Sequence, residues 1–246
     1  MMPSSLSAID MVFLTLLAIC SYFLLLFSPQ IKSTIGKFSS AENRSLAWRM
    51  YERLSGALIL GILPALIIYK TVHENAGTSF FFTATINRFY LISVCCIATI
   101  IINFLTTSKA RNRAGYPLIR NKNWNGSLLL LNQFSWVVYL FGYEYLLRGV
   151  FFSSSTALFG LQMAIVINVL LYSLLHFHRG IKQMIFSIPF GVVLCLLVIA
   201  TSSWISAALL HTTFAVSYEF FVIAYRNKWL RLPGRKPRRS PQFRLS

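Results

Sequence analysis

The stretch Tyr143-Glu144-Tyr145-Leu146-Leu147-Arg148-Gly149 lies inside a long apolar run, residues 127–152. It holds a carboxylate and a guanidinium four residues apart. On a helix that spacing puts them on one face, one turn apart, where they pair. Either charge alone is costly in lipid: about 2.5–3.5 kcal/mol for Arg, Lys or Asp at a helix centre on the insertion scale. Charges inside such runs are rare, and they mark either a functional site or a lock between helices. The rest of the chain has to decide between those two readings.

The surrounding sequence is that of a membrane protein. The 246 residues are 56% hydrophobic, with a mean hydropathy of +0.64. Seven apolar segments are expected, at about residues 10–27, 54–69, 89–105, 127–148 (extending to 152), 156–175, 184–201 and 204–225. Runs of about 18 or more apolar residues are long enough to cross hydrocarbon as helices. The expected fold is therefore all-α, a polytopic membrane helix bundle of about seven spans. The first segment has no Lys or Arg before it and no A-x-A-like site after it, so it reads as a span and not as a cleaved signal peptide. Residues 1–232 form one membrane domain, and residues 233–246 form a basic, Pro- and Arg-rich tail expected to be disordered. No internal repeat or second soluble domain is visible.

Charge sets the expected orientation. The net charge is +17. The basic residues gather in alternate connections: Lys32, Lys37, Arg44, Arg49 and Arg53 in the first, Lys109, Arg111, Arg113, Arg120 and Lys122 in the third, Arg179 and Lys182 in the fifth, then the tail. The intervening connections hold almost none. An N-terminus outside and a C-terminus inside satisfy the positive-inside rule at every connection. The same charges suit anionic lipid headgroups, and no basic soluble fold accompanies them that would suggest nucleic acid. Cys20, Cys95, Cys96 and Cys195 lie in apolar runs without zinc spacing and read as packing residues.

Few ionisable residues fall within the spans. Asp10, Glu42, Glu52 and Glu74 are assigned to loops or span ends, which leaves Glu144, Arg148, His176, His211 and Glu219, from three segments. Gln133 shares the face of Glu144, and Asn168, Tyr172 and His176 recur every four residues on one face. His178, two residues past His176, is expected to point away. Charges converging from separate helices are what an active site or ion path needs. A carboxylate and an imidazole can activate water while other polar groups hold an oxyanion. One Glu with two His is also a catalytic zinc set, though no H-E-x-x-H occurs. Proton relay in a transporter is a third possibility, without a repeat to support it.

Three of these groups resemble the motifs of the CAAX protease and bacteriocin-processing family of intramembrane endopeptidases. Its pattern is Glu-Glu-x-x-x-Arg, an aromatic-x-x-x-His, and His-x-x-x-Asn, each in a membrane segment. Here they read Tyr143-Glu144-Tyr145-Leu146-Leu147-Arg148, Tyr172-Ser173-Leu174-Leu175-His176 and His211-Thr212-Thr213-Phe214-Ala215, within a core of residues 127–225. The sequence departs at Tyr143, where the family has its first Glu, and at Ala215, where it has Asn. The resemblance implies peptide-bond hydrolysis in a membrane-associated peptide or protein, without a required metal or other cofactor. Glu144 would activate water with His176, Arg148 would orient Glu144, His211 would stabilise the oxyanion, and Glu219 would be an auxiliary carboxylate. It also implies a bacterial plasma-membrane location. A catalytically inactive relative that binds a membrane peptide is the alternative.

One geometric requirement follows. A hairpin turning at residues 153–155 would leave Glu144 and His176 roughly 18 Å apart in depth. A shared site requires the chain to break elsewhere, and Gly149 with the serines after it is the expected place.

Overall fold

The computed structural model describes residues 6–40, 43–73, 86–108, 116–120 and 124–230. The tail expected to be disordered, and most charges of the third connection, lie outside these residues. Every regular element among the described residues is helical. The elements are α1 (Ala8–Phe27), α2 (Pro29–Phe38), α3 (Arg44–Gly56), a π-helical stretch (Ala57–Ile62) running into α4 (Leu63–His73), α5 (Ile86–Thr107), α6 (Gly126–Glu144), a second π-helical stretch (Tyr145–Phe151), α7 (Phe152–Leu174), a 3₁₀ turn (Phe177–Arg179), α8 (Ile181–Thr201) and α9 (Trp204–Arg226). Starts are set by side chains that satisfy free N–H groups. Ser7 and Asp10 form a reciprocal box at α1, Asn125 Oδ1 accepts from Leu128 N at 2.8 Å, and Ser203 Oγ accepts from Ile205 N at 3.3 Å.

Among the described residues, six helical stretches are long and apolar enough to cross a membrane. The fourth, residues 126–179, has 54 residues and is two limbs, not one. Asn168 Nδ2 donates to Leu147 O at 2.8 Å, and the Arg148 guanidinium lies 4.4 Å from the Tyr172 ring centre. Along a straight helix residues 147 and 168 would be about 30 Å apart. The chain doubles back at Gly160, whose φ of 78° and ψ of 165° are open to glycine alone. The seven expected limbs are thus present.

The break is not where the sequence suggested. Residues 149–155 are helical. The Ser154 hydroxyl donates to Val150 O at 2.9 Å and Thr156 to Phe152 O at 2.8 Å, so the hydroxyls bond back along the helix instead of ending it. Gly149 is used for packing: a Cβ there would stand 3.3 Å from Cγ of Trp204. Moving the break to Gly160 removes the depth problem. Glu144 and His176 each lie about 16 residues from it and come to similar depth.

The polar connections gather at one end of the bundle. Arg120 N donates to Ser45 Oγ at 2.9 Å, Leu118 N to Glu219 Oε1 at 2.8 Å, and Arg179 Nη2 to Glu52 Oε1 at 3.3 Å. These bonds tie the first, third and fifth connections together, as alternating passes require. Glu52 and Arg53 correct the sequence reading: α3 starts ten residues before the apolar run, and both side chains are only 2% exposed. The apolar run marks the lipid crossing, whereas these two are buried against ionic partners that a hydropathy count does not see. Near the middle, Gly61 meets Gly142 so closely that a Cβ on Gly61 would lie 2.6 Å from Gly142 Cα. That small-residue contact seats α6 just before Glu144.

Candidate active site

Glu144 is the last residue of α6, and the backbone winds into the π-helical stretch directly after it. Arg148 Nη1 is 3.0 Å from Glu144 Oε2 and 3.3 Å from Oε1, and neither side chain has any exposed surface. Tyr172 covers the guanidinium from the returning limb. Asn168, one turn before Tyr172, holds Leu147 O. The pair and the returning limb are therefore one unit. From α9, His211 Nδ1 meets Glu144 Oε1 at 2.5 Å. Glu144 thus joins two of the three motifs by direct bonds, and Tyr172 joins the third.

The two imidazoles reach a shared cavity of about 530 Å³. His211 and His176 both line it, together with Tyr143, Tyr172, Trp136 and Tyr139. Their rings flank Tyr172, at 4.6 Å for His176 and 5.9 Å for His211 between ring centres. His176 Nδ1 lies 2.8 Å from Tyr172 O; a carbonyl only accepts, so Nδ1 carries the hydrogen. His211 Nδ1 faces a carboxylate and is a donor by the same logic. In the neutral rings both Nε2 atoms are then bare acceptors. Gly191 makes room for this arrangement: a Cβ there would lie 2.9 Å from Tyr172 Cδ1.

Glu144 itself does not line the cavity; it is fully buried behind His211. Glu219 is not brought to this cluster. It accepts from Trp136 Nε1 at 2.5 Å, Leu118 N at 2.8 Å, Asn132 Nδ2 at 3.1 Å and Arg53 Nη2 at 3.4 Å. Those four donors occupy it as a structural anchor near the polar end. His178 also departs from expectation and lines the cavity. α7 ends at Leu174, so helical spacing no longer decides where residue 178 points. Its Nδ1 donates to Leu175 O at 2.9 Å, and its Nε2 accepts from Arg179 Nε at 3.3 Å. Gln133, expected on the face of Glu144, is half-buried, and neither amide atom has a partner among the described residues. The sequence reading missed Tyr143, Trp136 and Arg53 as parts of these clusters. For Trp136 and Arg53 nothing but the fold could have supplied the signal.

Among the described residues, no three His, Cys, Asp or Glu side chains stand together as a metal-holding group. What the fold defines is a polytopic membrane protein with a carboxylate–imidazole pair opening onto an aromatic cavity. Residues 125–217 match the family model described as Type II CAAX prenyl endopeptidase, Rce1-like. This is the family whose motifs the sequence resembles, and the matched stretch holds all three motifs. No curated protein and no solved structure matches the chain.

Proposed function

We propose that the chain is an intramembrane endopeptidase that hydrolyses a peptide bond of a membrane-associated peptide or protein. One observation carries this reading: His211, engaged by Glu144 through Nδ1, lines a cavity that His176 also lines, and its Nε2 is left for a substrate water. Two bare Nε2 atoms suit one water, each accepting one of its hydrogens. His211 takes the proton as the water oxygen attacks the carbonyl. Glu144 stays ionised beside Arg148 and stabilises the imidazolium that forms. His176 positions the water. This moves the base from Glu144, the sequence expectation, to His211, with Glu144 as its positioning residue. The proposed chemistry requires no metal.

The lining residues Trp136, Leu140, Phe186, Phe190 and Phe214 favour an apolar peptide, in keeping with the prenylated CAAX substrates named by the family description. The end of the cavity carrying Arg179 and Lys182 belongs to the basic connections, which we place at the cytoplasmic face, near anionic lipid. A plasma membrane is the proposed location. A second reading, a peptide binder without turnover, rests on Tyr143 and Ala215, both on the cavity wall in place of the family's Glu and Asn. Purified protein incubated with prenylated and unprenylated quenched-fluorescence CAAX peptides separates the two. Cleavage by wild type and not by His211→Ala is expected. Binding without cleavage favours the second reading, and cleavage that survives His211→Ala removes the proposed base.

A further inference from the structure

Several polar side chains on the cavity wall are already spent within the fold. Trp136 Nε1 donates to Glu219 Oε2 at 2.5 Å, and Ser187 Oγ donates to Met184 O at 2.6 Å. His178 donates through Nδ1 to Leu175 O and accepts at Nε2 from Arg179. Lys182 and Gln183, in the first turn of α8, also line the cavity, and their side chains have no hydrogen bond or ion pair among the described residues. Arg179 stands between the two groups. Its Nε donates to His178 Nε2 and its Nη2 to Glu52 Oε1, both at 3.3 Å, and its Cζ lies 5.5 Å from the Trp136 ring centre. A guanidinium carries five N–H groups. These bonds leave Nη1 unspent among the described residues, and 16% of the side chain stays exposed.

Charge at this end of the cavity is unbalanced. Arg49 and Arg179 both pair with Glu52, so two cations share one carboxylate before Lys182 is added. Among the described residues, none that lines the cavity is acidic. A fixed guanidinium fork beside a second, unpaired cation suits an anion of carboxylate geometry. The backbone of a peptide is anionic only at its C-terminus.

Position favours that occupant over a lipid phosphate. A single 3₁₀ turn joins His176 to Arg179, with Arg179 N donating to His176 O at 3.0 Å. At about 2.0 Å of rise per residue the two lie about 6 Å apart along the chain. The cations thus stand one turn from a reacting imidazole, inside the cavity, whereas a lipid phosphate stays at the bilayer surface. An extended peptide advances about 3.3 Å per residue, so a carboxylate held there sets a carbonyl about two or three residues back beside the imidazoles. Phe186 and Phe190 wall the cavity with them and suit apolar residues in that short segment.

Resting on the hydrolase reading, we propose that Arg179 and Lys182 are specificity residues that bind the free C-terminal carboxylate of the substrate. Arg179 is the fixed fork, with Glu52 as its positioning residue, and Lys182 is the closing cation. Gln183, beside them, offers a donor and an acceptor to a backbone peptide group. The site therefore measures its cleavage point from the end of the chain and releases a short acidic-ended fragment.

The test uses the full chain in detergent and apolar peptides that end in a carboxylate or in a carboxamide. Wild type is expected to cleave the carboxylate form with a kcat/KM about tenfold or more higher, mostly through KM. Placing about six residues beyond the scissile bond carries the carboxylate past the cations and erases the preference. Lys182→Gln lowers the carboxylate-to-carboxamide ratio, and Lys182→Glu inverts it. Lys182 is exposed, so both variants should unfold within about 2 °C of wild type. Arg179→Lys keeps a charge facing Glu52, loses the fork, and lowers the ratio severalfold. Calorimetric binding of an uncleavable tripeptide, as carboxylate and as carboxamide, repeats the comparison without turnover. No preference in wild type, or a ratio that Lys182→Glu leaves unmoved, overturns the proposal. So does Lys182-dependent binding of phosphatidylglycerol without any peptide preference, which hands the cations to lipid phosphate. Carboxylate-selective binding without cleavage sinks the hydrolase reading and keeps the site. Cleavage without selectivity does the reverse.

Discussion

Glu144 and Glu219 are both fully buried, each beside an arginine, and they do different things. Glu219 accepts from four donors drawn from α3, α6 and the 116–120 segment. Arg53 in turn gives hydrogen bonds to Asn132 Oδ1 and Ser135 Oγ, both at 2.8 Å, and lies 4.0 Å from the Trp136 ring centre. That cluster is closed; every charge ends on a structural partner. Glu144 has Arg148 on one side and His211 on the other, and the imidazole carries its influence to the cavity wall. A buried ion pair is therefore a poor guide to chemistry by itself. What distinguishes a site is whether some member of the network presents an unspent atom to a space a substrate can enter.

Substitution at the two carboxylates is the hardest test of that contrast. Glu144→Gln keeps the volume and removes the charge that holds the His211 tautomer, so peptide hydrolysis should fall by about ten-thousandfold. Folded yield should suffer less than from Arg148→Ala, which leaves a carboxylate buried without its cation. Glu219→Gln strands Arg53 in the same way and should cost about 3–5 kcal/mol of stability, read by thermal unfolding in detergent. Activity per folded Glu219→Gln molecule should remain within about tenfold of wild type, at most 1.4 kcal/mol in barrier. If Glu219→Gln stops turnover and Glu144→Gln spares it, the roles of the two clusters are exchanged.

Smaller changes sharpen the comparison by touching the scaffold alone. Gly191→Ala pushes a methyl against Tyr172, between the arginine and the imidazoles, and should destabilise by about 1–3 kcal/mol. The hydrolysis rate should drop further than the loss of folded protein explains, since Tyr172 touches both His176 and Arg148. Gly160→Ala meets no neighbour, yet its backbone conformation should cost about 1–3 kcal/mol. Gly149→Ala, helical and only tight against Trp204, should cost less than about 1 kcal/mol. A larger loss at Gly149 than at Gly160 would return the break to the place the serines suggested.

Much of this was legible without coordinates. Apolar length gave the limbs, because a helix must satisfy its own backbone across hydrocarbon whatever its neighbours are. Four-residue spacing gave the Glu144–Arg148 pair and the Asn168–Tyr172–His176 stripe, because helical periodicity is local. Scarcity of charge inside the spans picked out His211 as well. Three things were decided by tertiary structure. The turn at Gly160 was invisible because glycines and serines also sit comfortably inside membrane helices, and only packing decides which glycine bends. The division of labour between Glu144 and Glu219 depends on donors from other helices, dozens of residues away in sequence. Which nitrogen of each histidine faces the cavity is set by what the other nitrogen touches, and no spacing rule encodes that.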